Sequence, residues 1–462
     1  MFKKLLVANR GEIACRIFRT CERLGIRTVA VFSDADVLSP HVAQADEAIR
    51  IGPAKVSDSY LNIPAILAAI ADVGADAVHP GYGLLSERRA FADAVVAARA
   101  TFVGPSGHAL EVFGDKIQAR QIARSVGVAP PPGSEEPVDP KDSARLLAEA
   151  ERIGLPLLIK AAAGGGGIGM QIVRELGDLA RAAQTCADRG QQAFGDGRIY
   201  LERYLEQPRH IEVQVFCDAF GNAVALGERE CSVQRRHQKI VEESPSPAGF
   251  FAGADGAKRR QALWASALAV VRAADYRGAG TVEFVANGAG ELFFLEVNAR
   301  LQVEHPVTEL VTDLDLVELQ LAVAAGQALP PAALEPTLRG HAIEVRLYAE
   351  DPAKGFLPQP GRLEQLEFPS DLPGIRVDSG VVAGQEVTPY YDPMLAKIAA
   401  HGADRAQALE RLSAALAACK VTLVGPKGPR ATNLAFLQKI LSSAKFISGT
   451  YDTTLAESLT QV

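Results

Sequence analysis

The segment LPLLIKAAAGGGGIGMQIVR, residues 155–174, decides the fold. An apolar run that ends at Lys160 is followed by a glycine-rich stretch and then by a second apolar run, MQIVR. Gly164, Gly166 and Gly169 fit the GxGxxG spacing. In a dinucleotide-binding fold that loop opens a helix, whereas MQIVR has the composition of a strand. The segment therefore predicts two strands joined by a glycine hairpin.

Because glycine has no Cβ atom, successive backbone N–H groups of the loop can approach and bind phosphate oxygens, and Lys160 can add a positive charge. The alternative is a flexible surface linker. Because apolar strands flank the loop on both sides, we favour a phosphate-binding hairpin.

A second segment, GTVEFVANGAGELFFLEVNARLQVEHPVTE at residues 280–309, predicts a β-hairpin that turns at NGAG. A turn centred between the second and third residues of NGAG would place Glu283 opposite Phe294. Glu296 would then lie two residues farther along the same face. Two carboxylates with room for water and phosphate oxygens suit a magnesium ion that bridges a nucleotide.

Polar residues continue beyond Glu296 at alternate positions, which predicts an extended polar face of Asn298, Arg300, Gln302 and Glu304. A half-exposed strand is the alternative. The apolar run LFFL directly before it makes a solvent face less fitting. Arg300 suits a small planar anion held by two hydrogen bonds, and a carboxylate four residues on can act as its base.

A third segment, ECSVQRRHQKIVEESPSP at residues 230–247, is dense in basic residues. Such runs are usually solvated loops. Strands frame this one, however, and RHQK offers donors for phosphate or carbonate oxygens. We interpret His79 and His341 as core or capping histidines.

Strand and helix patterns alternate over residues 3–106, which predicts a doubly wound parallel sheet without the dinucleotide fingerprint. A second unit follows over about 113–325, with a smaller piece near 130–203 that we interpret as a lid. A third, strand-rich unit begins near residue 330 and includes a helix over 408–418.

Composition bounds the function classes. The 462 residues are 48% hydrophobic and 22% charged with a net charge of −7, which argues for a multidomain globular enzyme and against nucleic-acid binding. The six cysteines form no CxxC or zinc-finger pattern, so we expect reduced thiols in a cytoplasmic protein. We expect no signal peptide and no membrane span.

Six motifs together resemble the biotin carboxylase family of the ATP-grasp superfamily over residues 3 to about 440: ANRGEIACR, HPGYGLLSE, GDK at 114–116, KAAAGGGGIGM, QRRHQK and LEVNARLQVEHPVTE. The resemblance implies a multidomain fold of α/β and α+β parts. Its expected divisions are an α/β domain at 1–112, an ATP-grasp domain at 113–329 with the lid near 130–203, a carboxy-terminal domain at 330–445 and a tail at 446–462.

By that resemblance the chain is an ATP-dependent ligase that activates bicarbonate as carboxyphosphate and carboxylates biotin, using ATP and Mg²⁺ or Mn²⁺. The implied nucleotide contacts are Lys116, Lys160, Gly164, Gly165, Gly166, Gly167, Gly169, Met170, Glu202, Leu205, His210, Gln234 and His237. Glu283, Glu296 and Asn298 would bind the metal. Bicarbonate would contact Lys239, Arg300, Gln302 and the backbone of Val303, with Glu304 as general base. Arg346 would face the ureido oxygen of biotin near Tyr82 and Glu87.

Several positions depart from the family pattern. Ile168 stands where the family usually has arginine, and Ala299 replaces a usual threonine. Arg88 and Arg89 follow Glu87 where SEN is common, and extra residues precede Thr432.

The biotin-accepting motif AMKM is missing, since the methionines are Met1, Met170 and Met394. We therefore expect biotin on a separate carrier protein, a separate carboxyltransferase component, and a homodimer with Arg16, Arg19 and Arg376 near the contact. Acetyl-CoA is the expected final acceptor. Propionyl-CoA, pyruvate and urea stay open, and Ile168 with GERECS favours the urea branch.

Two other functions share part of this pattern. A different ATP-grasp ligase would have the glycine loop and the magnesium carboxylates, and a regulatory subunit would bind ATP without catalysis. The presence of Arg300, Glu304 and QRRHQK argues against both.

Overall fold

The computed structural model describes residues 1–162, 170–236 and 238–460. The amino-terminal elements are β1 (Lys4–Val7), α1 (Gly11–Arg23), β2 (Arg27–Ser33), α2 (Pro40–Gln44), β3 (Glu47–Gly52), α3 (Ile63–Val73), β4 (Ala77–His79), α4 (Arg89–Ala97), β5 (Thr101–Phe102), α5 (Gly107–Gly114) and α6 (Lys116–Ser125). The five strands form a parallel sheet in the order β3-β2-β1-β4-β5. This confirms the predicted doubly wound fold. The edge strand β3 was not predicted, because its charged residues interrupt the apolar pattern.

The next segment forms a separate small sheet with two helices: α7 (Ser143–Ile153), β6 (Leu157–Ala161), β7 (Met170–Val173), α8 (Leu179–Phe194) and β8 (Ile199–Arg203). Its strand order is β7-β6-β8, and Lys160 pairs with Met170 in an antiparallel ladder. The two predicted strands are therefore confirmed. The predicted loop residues Gly164, Gly165, Gly166, Gly167, Ile168 and Gly169 lie outside the described residues.

The central part of the chain contributes β9 (Arg209–Cys217), β10 (Ala223–Arg235), β11 (Gln238–Ser244), α9 (Ala254–Ala273), β12 (Gly278–Ala286), β13 (Leu292–Asn298), α10 (His305–Thr312), α11 (Leu316–Ala324) and α12 (Pro331–Leu334). Strands β10 and β11 form an antiparallel hairpin, so strands do frame the basic segment QRRHQK. This arrangement fixes Lys239 near the start of a central strand.

The predicted hairpin of β12 and β13 is present, but its predicted register is wrong. Glu283 pairs directly with Glu296, and Phe294 pairs with Phe284. The Asn287 side chain accepts from the backbone N–H groups of residues 289 and 291, both at 3.0 Å, which centres the turn later than predicted. A bulge beyond Phe284 adds one further residue of shift. The two carboxylates therefore lie opposite each other.

The predicted extended face through Glu304 is also wrong, since β13 ends at Asn298. Pro306 occupies the first turn of α10, a position that favours helix initiation. Residues 299–304 therefore form an irregular link from the strand to the helix. Alternation alone could not distinguish such a link from a strand.

The remaining elements are β14 (His341–Tyr348), β15 (Glu350–Asp351), β16 (Leu357–Pro358), β17 (Gly361–Glu367), β18 (Ile375–Ser379), β19 (Glu386–Val387), β20 (Met394–Gly402), α13 (Arg405–Ala418), β21 (Lys420–Gly425), β22 (Gly428–Arg430), α14 (Leu434–Leu441), α15 (Ala444–Ile447) and α16 (Leu455–Thr460). The predicted helix over 408–418 corresponds to α13. Strand β14 pairs with β11, which gives an antiparallel sheet of eight strands in the order β13-β12-β9-β10-β11-β14-β20-β18. This sheet therefore contains strands from both sides of residue 330, where the third unit was predicted to begin.

The extra residues before Thr432 form the hairpin of β21 and β22, which extends a four-stranded sheet. The hairpin leads into Asn433, whose side chain accepts from the backbone N–H of Tyr348 at 2.7 Å and donates to the carbonyl of Arg346 at 2.9 Å. The predicted tail also packs onto the protein, because the buried Tyr451 hydroxyl donates to Glu243.

All six cysteines are buried free thiols. Over residues 1–162, 170–236 and 238–460, the helices lack the combination of length and apolar character that crossing a membrane requires. His79 is buried and lies 3.3 Å from Gln320, and His341 pairs with Glu243, as expected for core histidines.

Candidate active site

Lys239 stands at the centre of the predicted site. Its ammonium group donates to Glu283 at 2.8 Å, to Glu304 at 2.7 Å and to Glu212. Strands β9, β11 and β12 of the same sheet present Glu212, Lys239 and Glu283, and Glu304 lies just before α10. Burial alone would lower the pKa of Lys239, but the three carboxylates outweigh it and raise that pKa. The lysine is therefore held as a cation.

Glu304 is fully buried and contacts two cations. Its Oε1 accepts from Lys239, and its Oε2 accepts from Arg346 Nη2 at 2.9 Å. Burial would raise the pKa of Glu304, but Lys239, Arg346 and Arg229 outweigh it and hold the pKa well below its usual range. The carboxylate is therefore ionised, and it can accept a proton once one of these cations turns away from it.

Arg300 is oriented by its neighbours in the irregular link. It donates to Glu87 at 2.9 Å, to Gln302 at 2.9 Å and to Asn298 at 3.0 Å. The backbone N–H of Ala299 donates to the same Glu87 carboxylate at 3.0 Å. This contact uses only the backbone of residue 299, so the replacement of threonine by alanine leaves it intact. The fork of Arg300 is thus ordered for a planar anion.

Glu283 and Glu296 offer the oxygen ligands that a magnesium ion prefers. Glu283 accepts from Asn298 at 2.8 Å, and its other oxygen lies 2.8 Å from His210 Nε2. Glu296 lies 2.9 Å from the ammonium of Lys116. Cations already face both carboxylates, which shows that this end of the hairpin accommodates positive charge. The predicted metal residues therefore fit a divalent cation.

The described residues that were predicted to contact the nucleotide include two groups. Glu202 is buried between Lys160 and Arg120, with the Arg120 contact at 2.5 Å. Gln234 lies 2.8 Å from His210 Nδ1, which joins it to the Glu283 group. The two groups account for Lys160, Glu202, His210 and Gln234 among the predicted nucleotide contacts. Leu205 is half-buried just after β8, and His237 lies outside the described residues.

The residues predicted to lie near biotin include Tyr82 and Glu87 of the amino-terminal domain. The Asn9 side chain, just after β1, donates to the carbonyls of Pro80 and Tyr82, both at 2.8 Å, and so fixes this loop. The Tyr82 hydroxyl donates to Glu12.

Lys397, which is 1% exposed, donates to the carbonyl of Val303 at 2.7 Å. A buried lysine thereby holds the backbone beside Glu304.

Several buried polar residues around these groups were not predicted from the sequence. Glu212, Arg229, Glu242 and Lys397 are all almost completely buried, and Arg229 pairs with Glu212. The sequence did contain a signal for Glu212. In HIEVQV of β9, polar residues at 210, 212 and 214 alternate with apolar ones, which places them on the face that carries His210.

Three protein-family models match the chain. The model "Biotin carboxylase, N-terminal domain" matches residues 1–110, and "Biotin carboxylase C-terminal domain" matches residues 344–458. Between them, "Carbamoyl-phosphate synthase L chain, ATP binding domain" matches residues 115–332. Together these models match most of the sequence.

Individual relatives agree with the family models. The chain is 47% identical over 449 residues to a biotin carboxylase of Halalkalibacterium halodurans, covering 97% of this chain and 96% of the relative. It is 46% identical over 453 residues to the human mitochondrial propionyl-CoA carboxylase alpha chain, covering 98% of this chain. The chain spans 60% of the length of that human relative.

A solved structure gives the same result for the fold. The biotin carboxylase domain dimer of Hydrogenobacter thermophilus 2-oxoglutarate carboxylase, in complex with MgADP, ADP and bicarbonate, superimposes with a TM-score of 0.92 at 40% identity. The match covers 99% of this chain and 98% of that chain.

Proposed function

The chain belongs to the biotin carboxylase family, and we propose that it supplies the biotin carboxylase activity of an acyl-CoA carboxylase, acting on biotin carried by another protein. It is an ATP-dependent ligase that uses ATP, magnesium, bicarbonate and biotin. One observation supports the assignment of roles best: Glu304 lies between Lys239 and Arg346, with one carboxylate oxygen on each. A base that contacts two cations fits a reaction that consumes one anion, bicarbonate, and then develops negative charge on another group, the ureido oxygen of biotin.

In the proposed first step, Lys239 and Arg300 bind bicarbonate and Glu304 removes its proton. Lys239 now donates to Glu304 itself. When that ammonium turns to the substrate anion, one cation leaves the base, and the pKa of Glu304 rises towards a value at which it can accept a proton. Substrate binding thus activates the base. The Arg300 fork, already oriented by Asn298 and Gln302, aligns the anion with the γ-phosphate of ATP.

Transfer of the γ-phosphoryl group from ATP to bicarbonate forms carboxyphosphate and releases ADP. Lys116 and Lys160 would bind the phosphates of ATP at this stage, exchanging their present carboxylate partners Glu296 and Glu202 for phosphate oxygens. A magnesium ion bound by Glu283, Glu296 and Asn298 would neutralise charge on the transferring phosphoryl group. Lys116 contacts Glu296 directly, and Glu202, the partner of Lys160, also acts on the charge of Lys116.

In the second step, carboxyphosphate yields CO₂ and phosphate within the site, the phosphate takes the proton from biotin N1′, and N1′ then attacks CO₂ to form carboxybiotin. Negative charge then develops on the ureido oxygen. Arg346, supported from β14, would stabilise that charge. Water would destroy carboxyphosphate, so exclusion of water by a closing lid near residues 130–203 belongs to the proposal.

The direct test of this function uses the purified chain with ATP, magnesium and free biotin. We expect phosphate release that depends on bicarbonate and rises with biotin, together with carboxybiotin. ATP hydrolysis that does not depend on bicarbonate would instead indicate another ATP-grasp ligase. ATP binding without turnover would indicate a regulatory subunit.

The metal assignment predicts the effect of Glu283→Gln and Glu296→Gln. Each change keeps a neutral oxygen but removes a charged ligand, so we expect magnesium affinity to fall by at least about 10-fold and ATP turnover to be lost at ordinary magnesium concentrations. A magnesium titration of ATP hydrolysis measures this. Unchanged turnover at every magnesium concentration would exclude these residues as ligands. Glu291→Gln, on the exposed turn of the same hairpin, is the control.

The acceptor and partners are the finer parts of the proposal. Acetyl-CoA stays our prediction for the final acceptor, and the similarity to propionyl-CoA carboxylase alpha chains supports propionyl-CoA as the alternative. A biotin carrier protein and a carboxyltransferase are the proposed partners, in the cytoplasm. Adding candidate carboxyltransferases to the chain and a biotinylated carrier, and measuring acetyl-CoA against propionyl-CoA carboxylation, distinguishes the two.

We also predict a homodimer through the amino- and carboxy-terminal domains. Within one chain Arg16 and Arg376 both contact Glu309, at 2.6 and 2.7 Å, and Arg19 contacts Asp378 with about half of its side chain exposed. Arg19 is thus the residue of the three with most surface for a partner. Sedimentation should give a dimer at micromolar concentration, and Arg19→Glu should weaken it; a monomer at all concentrations would contradict the prediction.

A further inference from the structure

One face of the eight-stranded sheet is charged and yet buried. Glu242 pairs in register with Glu344, and Arg346 pairs with Lys397 on the next strand. None of the four side chains exceeds 6% exposure. The opposite face of the same strands carries Val241, Ile343, Val345 and Ile398, which belong to the hydrophobic core. Helix α10, directly after Glu304, packs against β14 and covers the charged face.

Within this face the Arg346 guanidinium lies between two carboxylates. The same nitrogen, Nη2, lies 2.9 Å from Glu304 Oε2 and 2.5 Å from Glu242 Oε1. Among the described residues, Arg346 is the cation that pairs with Glu242. Glu304 differs, because its second oxygen is occupied by Lys239. Above neutral pH Glu242 is thus an anion, and its described ionic contact is with Arg346.

The reaction proposed above changes one of these two contacts. When Glu304 accepts the proton of bicarbonate it becomes neutral, and its attraction for Arg346 falls. A buried guanidinium that loses its anion is strongly unfavourable and would move towards solvent. Glu242 would remain as the anion that retains Arg346 in the site.

We propose that Glu242 is a positioning residue for biotin carboxylation, which holds the Arg346 guanidinium in place while Glu304 is protonated. The ureido oxygen of biotin then meets a fixed cation as its negative charge develops. This role rests on the proposed function, and it places Glu242 behind the arginine, in contact with neither bicarbonate nor ATP. It therefore concerns the second step and leaves the first intact.

The charge state of Glu242 adds a pH dependence. Burial raises the pKa of Glu242 to about 7, an effect that Arg346 only partly offsets. The charged and titratable groups that face it are Arg346 and Glu344 from β14, Glu304 before α10, Lys239 from β11 and Cys231 from β10. As pH falls through about 7, Glu242 takes up a proton and its hold on Arg346 weakens.

The test compares Glu242→Gln with wild type in one assay that measures phosphate release and carboxybiotin from free biotin. We expect bicarbonate-dependent phosphate release to stay within about threefold of wild type. Carboxybiotin should fall by roughly 10- to 100-fold, the range expected when a reacting partner is misplaced. The ratio of phosphate released to carboxybiotin formed therefore rises. Wild type should show the same rise as pH drops below neutrality, and the Gln variant should show a constant ratio.

Glu344→Gln is the matched control, because Glu344 is equally buried on the same face but, unlike Glu242, forms no salt bridge with Arg346 or any other cation among the described residues. It should keep the wild-type ratio. An unchanged ratio in Glu242→Gln, or an equal loss of both activities in a folded protein, would overturn the proposal. If Glu242→Gln fails to fold, Glu242→Asp and the wild-type pH titration decide it. Wild type without bicarbonate-dependent hydrolysis would instead reject the proposed function.

Discussion

Glu304→Gln is expected to lower bicarbonate-dependent ATP hydrolysis and biotin carboxylation together, each by roughly 10²- to 10⁴-fold, the usual loss when a general base is removed. Glutamine keeps the shape of the side chain but cannot accept the proton of bicarbonate. Its amide group also carries one donor face, so it cannot accept from Lys239 and Arg346 at once as the carboxylate does. Initial rates of phosphate release and carboxybiotin formation measure the two losses.

A matched control is Glu350→Gln. Glu350 is also buried and paired with an arginine, Arg235, but the proposed mechanism gives it no chemical role. Both proteins should remain folded in thermal unfolding, whereas Glu304→Gln alone should lose turnover. Substantial phosphate release by a folded Glu304→Gln protein would remove Glu304 from the role of base.

The sequence was sufficient for those parts of the site that follow from short-range pattern. The hairpin of β12 and β13 was predicted from alternation and the NGAG turn, and it does bring Glu283 and Glu296 together. The register was wrong because it depends on how Asn287 bonds within the turn and on a bulge beyond it. Neither feature has a signature in the order of apolar and polar residues.

Long-range pairing explains what was missed. Nothing in the segment HAIEVRLYAE indicates that β14 pairs with β11, yet that pairing places Glu242 beside Arg346. The same holds for Lys397, whose contact with Val303 joins residues far apart in sequence. A run such as IEVR predicts a strand and a polar face, but the partner of that face is set by the tertiary fold.

Arg346→Ala is the prediction that separates the two steps of the reaction. We expect carboxybiotin formation to fall by roughly 10²- to 10³-fold, as when one donor to a developing oxyanion is removed. Much of the bicarbonate-dependent ATP hydrolysis should survive, because Lys239 still contacts Glu304 and the arginine's proposed partner becomes anionic only after carboxyphosphate has formed. Parallel measurement of phosphate and carboxybiotin tests this.

Arg346→Lys refines the test, since lysine keeps the charge but cannot reach two partners with a planar fork. We expect it to retain more carboxylation than Arg346→Ala at a similar rate of ATP hydrolysis. The double variant Arg346→Lys/Glu242→Gln should lose less carboxylation than the sum of the two single losses. Glu242 acts only through Arg346, and Arg346→Lys has already removed that arginine. If Arg346→Ala and Glu304→Gln lost both activities equally while folded, Arg346 would act in the bicarbonate step, and the division of roles between the two residues would have to be abandoned.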